Sequence, residues 1–308
     1  MIIPERLKPG DAVGIAAVSS PPDLNHLQRG IKVLEAMGLQ VRLGSHVGNI
    51  HGFLAGTDEE RLADFHDMME NREIKAVFFA CGGYGSGRIA PLLDYRVIRK
   101  HPKILWGYSD LTYLFTAIRQ ATGLVCFHGP MPASDLGKPP GADPVTLEGF
   151  RQLFQPLTRV YQDAGQDGLE VLSGGHAEGE LVGGNLTVLT STLGTPFEID
   201  AKNKLLLIED VNEEPYRVDS MLQQLTYAGK FAEAAGIVVG DFSNALPKGT
   251  RPSFSLEDVL LDYFGSMPVP VVKGFKIGHC QPHFAVPLGV PAVLSAAKKC
   301  LVVKPGVC

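Results

Sequence analysis

A serine hydroxyl becomes a useful nucleophile only when a turn presents it and a base takes its proton. Ser109 satisfies the first condition on sequence alone. It lies in ILWGYSDLTYLFTAIRQATG, residues 104–123, where an apolar run at 104–106 enters the tight turn Gly107-Tyr108-Ser109-Asp110. A helix-period stretch follows, with Leu111, Leu114, Phe115 and Ile118 on one face. Strand, sharp turn and helix make a nucleophile elbow, which lifts a hydroxyl clear of the sheet and seats it at a helix N-terminus. The backbone N–H of the next residue, Asp110, can then face a developing oxyanion. The G-x-S-x-G pattern is incomplete, because Leu111 stands where the second Gly would be. The plainer alternative is that Ser109 or Asp110 simply N-caps the helix.

The base must come from nine histidines. His26, His46, His66, His101 and His176 sit in polar or helix-surface contexts and read as solvated. His128, in FHGPM, ends a buried strand predicted at 124–127, so it is placed to line a crevice. His279, in FKIGHCQPH, follows a β-like stretch and a Gly. His283 lies four residues on, but Pro282 argues against a helix that would bring the pair onto one metal, and no metal site is expected. A carboxylate to hold the imidazole is offered by Glu209 and Asp210, which end the apolar run LLLI. Strand alternation puts Glu209 on the face of Leu205 and Leu207, with Asp210 on the other. Either could instead solvate the strand end or pair with Arg217, and the pattern leaves the choice open. The loop CGGYGSGR, residues 81–88, has neither dinucleotide-fingerprint spacing nor the Lys-Ser/Thr of a P-loop. It offers bare backbone N–H groups, either as a generic βα turn or as a second oxyanion donor opposite the serine.

The elements that would position these groups follow from composition and periodicity. With 308 residues, the length implies about two domains; 45% hydrophobic and 20% charged residues are ordinary globular values. A net charge of −5 with scattered cations argues against nucleic acid or an anionic membrane as the main partner. It leaves room for small anionic ligands, which need only one local pocket. The first residues lack the features of a signal peptide, and the apolar stretch at 12–18 is too short to span a bilayer. Five dispersed cysteines without a C-x-x-C pair fit a reducing compartment, so the chain reads as soluble and cytoplasmic.

Strands are predicted at 12–18, 39–43, 76–80 and 104–106, alternating with helices at 24–37, 57–71 and from 89 to 93. This is an α/β pattern with a parallel sheet, whose ligand crevice lies at the carboxyl ends of the strands. Both Gly-rich turns, at 81–87 and 107–109, fall at such ends. Residues 134–174 read as a crossover, giving an N-terminal α/β domain at 1–165 and a C-terminal β-rich α+β domain or half-barrel at 166–308. In the second part, strands are predicted at 169–172, 178–182, 204–208, 235–240, 269–275, 292–295 and 300–303, with helices at 216–228 and 256–264.

Eight segments in order, AAVSSPP, GFLAGTDEERLADF, FFACGGYGSGRIAPLLDY, ILWGYSDLT, FHGPM, GELVGGNLTVL, LLLIEDVNEEPYRVDSML and FKIGHCQPHFAVPLG, resemble the LD-carboxypeptidase family, peptidase family S66. That family also contains microcin C self-immunity proteins. The resemblance implies an N-terminal domain similar to flavodoxin-like and class I glutamine amidotransferase sheets, and a smaller β-rich C-terminal domain. It further implies a Ser–Glu–His triad, carried here by Ser109, Glu209 and His279 across the two domains, which settles the choice between Glu209 and Asp210. The backbone of Asp110 and of Gly82 or Gly83 would bind the oxyanion. Cys81 and Ser220 depart from the family pattern, which has Arg at both positions.

The implied reaction releases the terminal D-alanine of a murein tetrapeptide, with no cofactor and in a homodimer. Tyr84, Arg88 and Arg217 are candidates to hold the substrate, the two arginines for its carboxylate. The alternatives are a microcin-immunity-type peptidase acting on aminoacyl-nucleotide conjugates, or an idle binding module that keeps the fold.

Overall fold

The apolar runs of the first half show no polar alternation, so they need cover on both faces of a sheet. The structure, a computed structural model describing residues 1–162, 168–250 and 252–308, gives them that environment. In chain order the elements are β1 (Ala12–Ala16), α1 (Leu24–Ala36), β2 (Gln40–Leu43), α2 (Asp58–Glu70), β3 (Ile74–Phe79), α3 (Ser86–Ile89), α4 (Tyr95–Lys100), β4 (Ile104–Gly107), α5 (Leu111–Thr122), β5 (Cys126–His128) and α6 (Pro144–Glu148). The five strands pair in parallel in the order β5-β4-β3-β1-β2. Every residue of β1 and β4 is buried. Trp106 of β4 is fully buried, packs against a tilted Phe150 ring and a stacked Phe127 ring at centroid distances of 4.6 and 5.7 Å, and donates its indole N–H to the Pro130 carbonyl.

The chain divides into two compact units, and this sheet belongs to the first, Met1–Leu157 with Gln281–Gly289 and Pro305–Cys308. The second is Thr158–Cys280 with Val290–Lys304. The boundary expected between residues 165 and 166 lies outside the described residues. The second unit holds β6 (Arg159–Gln162), β7 (Glu170–Ser173), β8 (His176–Asn185), α7 (Leu186–Ser191), β9 (Leu205–Val211), α8 (Pro215–Tyr227), α9 (Lys230–Glu233), β10 (Gly236–Ser243), α10 (Leu256–Phe264) and β11 (Val271–Lys273). After it, β12 (Val286–Leu288) returns to the first sheet as an antiparallel edge strand on β5. β13 (Pro291–Ser295) and β14 (Cys300–Val303) complete an eight-stranded sheet of order β6-β14-β13-β8-β9-β10-β11-β7. Its centre, β8 to β11, is parallel, and its flanks are antiparallel. Leu222, Leu225 and Phe264 from α8 and α10 pack with Val182, Ile208 and Ile237 of the sheet in one buried cluster.

The fold class read from the sequence therefore holds: a parallel-sheet α/β unit and a second, β-rich sheet unit. Local boundaries moved. The helix expected from residue 89 winds earlier, as α3, and gives way to a 3-10 turn at Ala90–Leu92, because Pro91 cannot donate into a continuing helix. The strand expected at 124–127 is displaced, since Leu124 forms an isolated bridge with Ile2 and the ladder begins at Cys126. The short elements α4, α6, α7, β6 and β12 had no periodic signature long enough to be read. Among the described residues, no helix is long and apolar enough to cross a membrane.

The capping box anticipated at the start of α2 is present. Thr57 accepts from the Glu60 N–H at 3.3 Å, and Glu60 accepts from the Thr57 N–H at 2.8 Å. Replacing Thr57 by Ala should cost about 1 kcal/mol, read as a lower urea midpoint at unchanged slope.

Candidate active site

The first unit builds the elbow. Ser109, between β4 and α5, has φ of 64°, a left-handed conformation that costs a non-glycine residue strain and is retained where surrounding contacts enforce it. The N-cap reading does not describe Asp110, which occupies the cap position of α5 but makes no side-chain cap bond. Its buried carboxylate turns back instead, accepting the Ser19 hydroxyl at 2.6 Å and the Ser86 N–H at 2.8 Å. The Ser86 hydroxyl in turn donates to the Asp110 carbonyl at 2.6 Å. The loop after β1, the Gly-rich loop after β3 and the elbow after β4 are thereby tied together at the carboxyl edge of the sheet.

Gly82 lies directly against Ser109. A Cβ on it would come within 2.9 Å of the Ser109 Cβ and 3.1 Å of its Oγ, so only Gly allows this approach. Its carbonyl accepts the Ser20 N–H at 3.2 Å, and Gly83 then turns the chain at φ of 110°. The backbone N–H groups of Asp110 and Gly82 donate to no protein acceptor among the described residues, which suits them to an external oxyanion. Cys81, where the family pattern has Arg, points its Sγ at the Ser20 carbonyl, 3.1 Å away. Burial, with Asp110 and Asp135 adding to it, pushes this thiol up to about 12.

The three candidates for substrate contact stand differently. Tyr84 is exposed and meets Phe53 edge-on at 5.6 Å. Arg88 is engaged by Asp58 through two bonds, 2.8 and 3.0 Å long, and Arg217 pairs with Glu213 at 3.5 Å. Asp58 also receives the buried Arg61, whose guanidinium holds the carbonyls of Val18 and Gly85. Ser220 sits within α8.

The second unit supplies an imidazole with its carboxylate. Glu209, wholly buried on β9, meets the His279 Nδ1 at 2.8 Å through Oε2. An ionised carboxylate only accepts, so with Glu209 charged and the ring neutral Nδ1 carries the proton and Nε2 keeps its lone pair. Gly278 adopts φ of 130° beside it, and a Cβ there would press within 2.7 Å of the Glu209 Oε2. Asp210, on the opposite face, does different work. It accepts from Asn185 at 3.1 Å, from the Thr187 N–H and hydroxyl at 2.8 Å each, and from the Val211 N–H at 2.8 Å. Burial and the neighbouring Glu209 raise its carboxyl above the usual range. Neither carboxylate merely solvates a strand end, and neither is the Arg217 partner.

Three histidine readings change. His128 does not line a crevice: it is buried among Tyr108 and His283, with ring centroids 5.3 and 5.5 Å away. His46 pairs with Asp64 at 2.8 Å, which raises its pKa, and His66 accepts the Asp94 N–H at 3.0 Å, its pKa lowered by burial. Among the described residues, no group of three or more His, Cys, Asp or Glu side chains is arranged to hold a metal ion. The contribution of Ser19, Ser86 and the Asp110 carboxylate had no motif of its own; the one signal was that all three fall at predicted strand ends.

A parallel sheet that ends in a left-handed serine turn, in a chain that also sets a histidine on a buried glutamate, is the architecture of an acyl-transfer hydrolase. Family models for the LD-carboxypeptidase N-terminal domain and C-terminal domain match residues 13–129 and 178–294, and the chain belongs to that family. It is 54% identical to a probable murein peptide carboxypeptidase of Bacillus subtilis, over 99% of this chain and 95% of the relative. The muramoyltetrapeptide carboxypeptidase of Oxalobacter formigenes superposes with a TM-score of 0.83 at 29% identity, covering 95% of this chain and 98% of that one. MccF in complex with glutamyl sulfamoyl guanosine superposes with a TM-score of 0.90 at 25% identity, covering 99% and 98%.

Two outcomes follow from this geometry. Gly82→Ala should fold yet slow fluorophosphonate labelling of Ser109 by at least about tenfold, because the added methyl displaces the hydroxyl. Native Cys81 should resist iodoacetamide at pH 8, since a thiol with its pKa near 12 is only about one part in ten thousand thiolate there; mass spectrometry of the alkylated protein reads this.

Proposed function

We propose that the chain is a serine carboxypeptidase that hydrolyses an L,D-amide and releases the terminal D-alanine of a murein tetrapeptide. The observation that carries this reading is Ser109, held at φ of 64° against Gly82. His279 takes the Ser109 proton through Nε2 as the hydroxyl attacks the scissile carbonyl. Glu209 fixes the ring and stabilises the imidazolium that forms. The oxyanion is received by the N–H of Asp110 and of Gly82 or Gly83, each donor contributing about 2.7–4 kcal/mol to lowering the barrier. His279 returns the proton to the leaving amine, and water then resolves the acyl-enzyme by the same steps.

In this reading the nucleophile belongs to the α/β domain and its base and carboxylate to the β-rich domain. Tyr84, Arg88 and Arg217 remain candidates for the substrate, the arginines exchanging Asp58 or Glu213 for its carboxylate. The enzyme acts in the cytoplasm as a homodimer, a location supported by five free cysteines.

A second reading has the same machinery cleave aminoacyl-nucleotide conjugates. The likeness to MccF supports it, as does a cleft of about 570 Å³ in the second unit, bordered by the exposed rings of Tyr216 and Phe254. Incubation with murein tetrapeptide and with a glutamyl-nucleotide conjugate, following free D-alanine and free nucleotide, separates the two. Ser109→Ala should lose at least about 10³-fold in kcat on the true substrate, and Glu209→Gln a comparable factor through the wrong tautomer. Undiminished turnover by Ser109→Ala would overturn the nucleophile assignment.

A further inference from the structure

We infer that the amino-terminal edge of the parallel sheet binds a small multivalent anion, one carrying two or more phosphate groups. A groove of about 810 Å³ opens there, and three separate stretches of chain bring cations to it. Arg6 and Lys8 precede β1, Arg72 and Lys75 stand at the entry to β3, and Lys100 and Lys103 precede β4. β1, β3 and β4 are adjacent strands, so three segments far apart in sequence, around residues 6–8, 72–75 and 100–103, converge at one edge. Against six cations the groove sets two side-chain carboxylates, Glu5 and Asp11, with Cys308 also at its wall, and Asp11 already accepts the Lys8 backbone N–H at 2.7 Å.

The concentration of charge is unlike the rest of the chain, whose net charge is −5. Elsewhere Arg42, Arg88, Lys230 and Lys273 all pair with carboxylates. None of the six groove cations makes an ion pair among the described residues. Like charges gathered in excess of counter-charge repel, and an anion in the groove relieves that repulsion. Helix ends account for part of the cluster. Lys103 is buried, with its ammonium on the Met68 carbonyl at 2.6 Å and on that of Asn71, and Lys100 lies in the last turn of α4. They do not account for Arg6, Lys8 or Lys75. Burial lowers the Lys103 pKa to about 8, a cost that a bound anion would offset.

The groove is distinct from the catalytic elbow. Lys103 directly precedes the first residue of β4, and Ser109 follows its last, so the two sites lie at opposite ends of one strand. The volume suits a ligand of nucleotide size or smaller, and the confinement of positive charge to one groove disfavours a long polyanion.

The test is isothermal titration of the full chain with inorganic pyrophosphate and tripolyphosphate, with sulfate for comparison, at low salt. Saturable 1:1 binding is expected, tightest for tripolyphosphate and weakest for sulfate. Lys8→Glu combined with Lys100→Glu should weaken it by at least about tenfold. Arg72→Gln should weaken it less, and hydrolysis should be unchanged in both variants. Lys298→Glu, an exposed charge reversal outside the groove, should leave binding intact. No saturable binding, equal weakening by Lys298→Glu, or tighter binding of a short single-stranded oligonucleotide than of tripolyphosphate would each overturn the inference.

Discussion

The buried carboxylate of Asp110 is the constraint around which the carboxyl edge of the first unit's sheet is arranged. A carboxylate taken out of water is costly unless hydrogen bonds replace its hydration. The Ser19 hydroxyl and the Ser86 N–H do so, and they come from two other strand-end loops. Satisfying one side chain therefore draws three loops together. It also keeps the carboxylate from capping its own helix, so that side chain leaves the first N–H groups of α5 uncovered. The left-handed φ of Ser109 is maintained by the same contacts, with Gly82 packed against the side chain from the other side.

The second unit solves a related problem with two consecutive carboxylates. Glu209 and Asp210 are both buried, yet strand alternation sends them to opposite faces and gives them unrelated partners. Glu209 meets an imidazole, while Asp210 receives the Thr187 N–H in the first turn of α7 and the side chains of Asn185 and Thr187. Glycine makes room on the Glu209 side, where Gly278 runs close past the carboxylate. One position is thus committed to orienting a titratable ring and its neighbour to holding a helix, from adjacent places in the chain.

The parallel sheet has two chemically different edges, because its strands all run one way and the helices between them run back the other way. At the carboxyl edge, loops expose backbone N–H groups and a hydroxyl. At the amino edge, helix C-termini present carbonyls that favour cations, and Lys103 answers two of them. More cations gather there than those carbonyls require. That excess, in an acidic chain, is what marks the edge as a place for an anion.

Much of this was legible in the residues themselves. Apolar runs without alternation implied buried parallel strands, the capping box at Thr57 and Glu60 implied the start of α2, and a serine between a strand and a helix implied an elbow. These are local properties, decided within a turn or two of chain, where period, cap and turn chemistry act directly. Short elements escaped because four or five residues carry too little pattern, and β12 escaped because a return to an earlier sheet leaves no local trace. Local chain chemistry set which residue types stood at strand ends. It took the folded chain to make Asp110 bind Ser19 and Ser86 rather than cap a helix, to bury His128, and to bring cations from three segments into one groove. Each of these depends on partners tens of residues away, and such pairing is selected by packing and by the cost of leaving a buried polar group unmet, neither of which is written in a local stretch of chain.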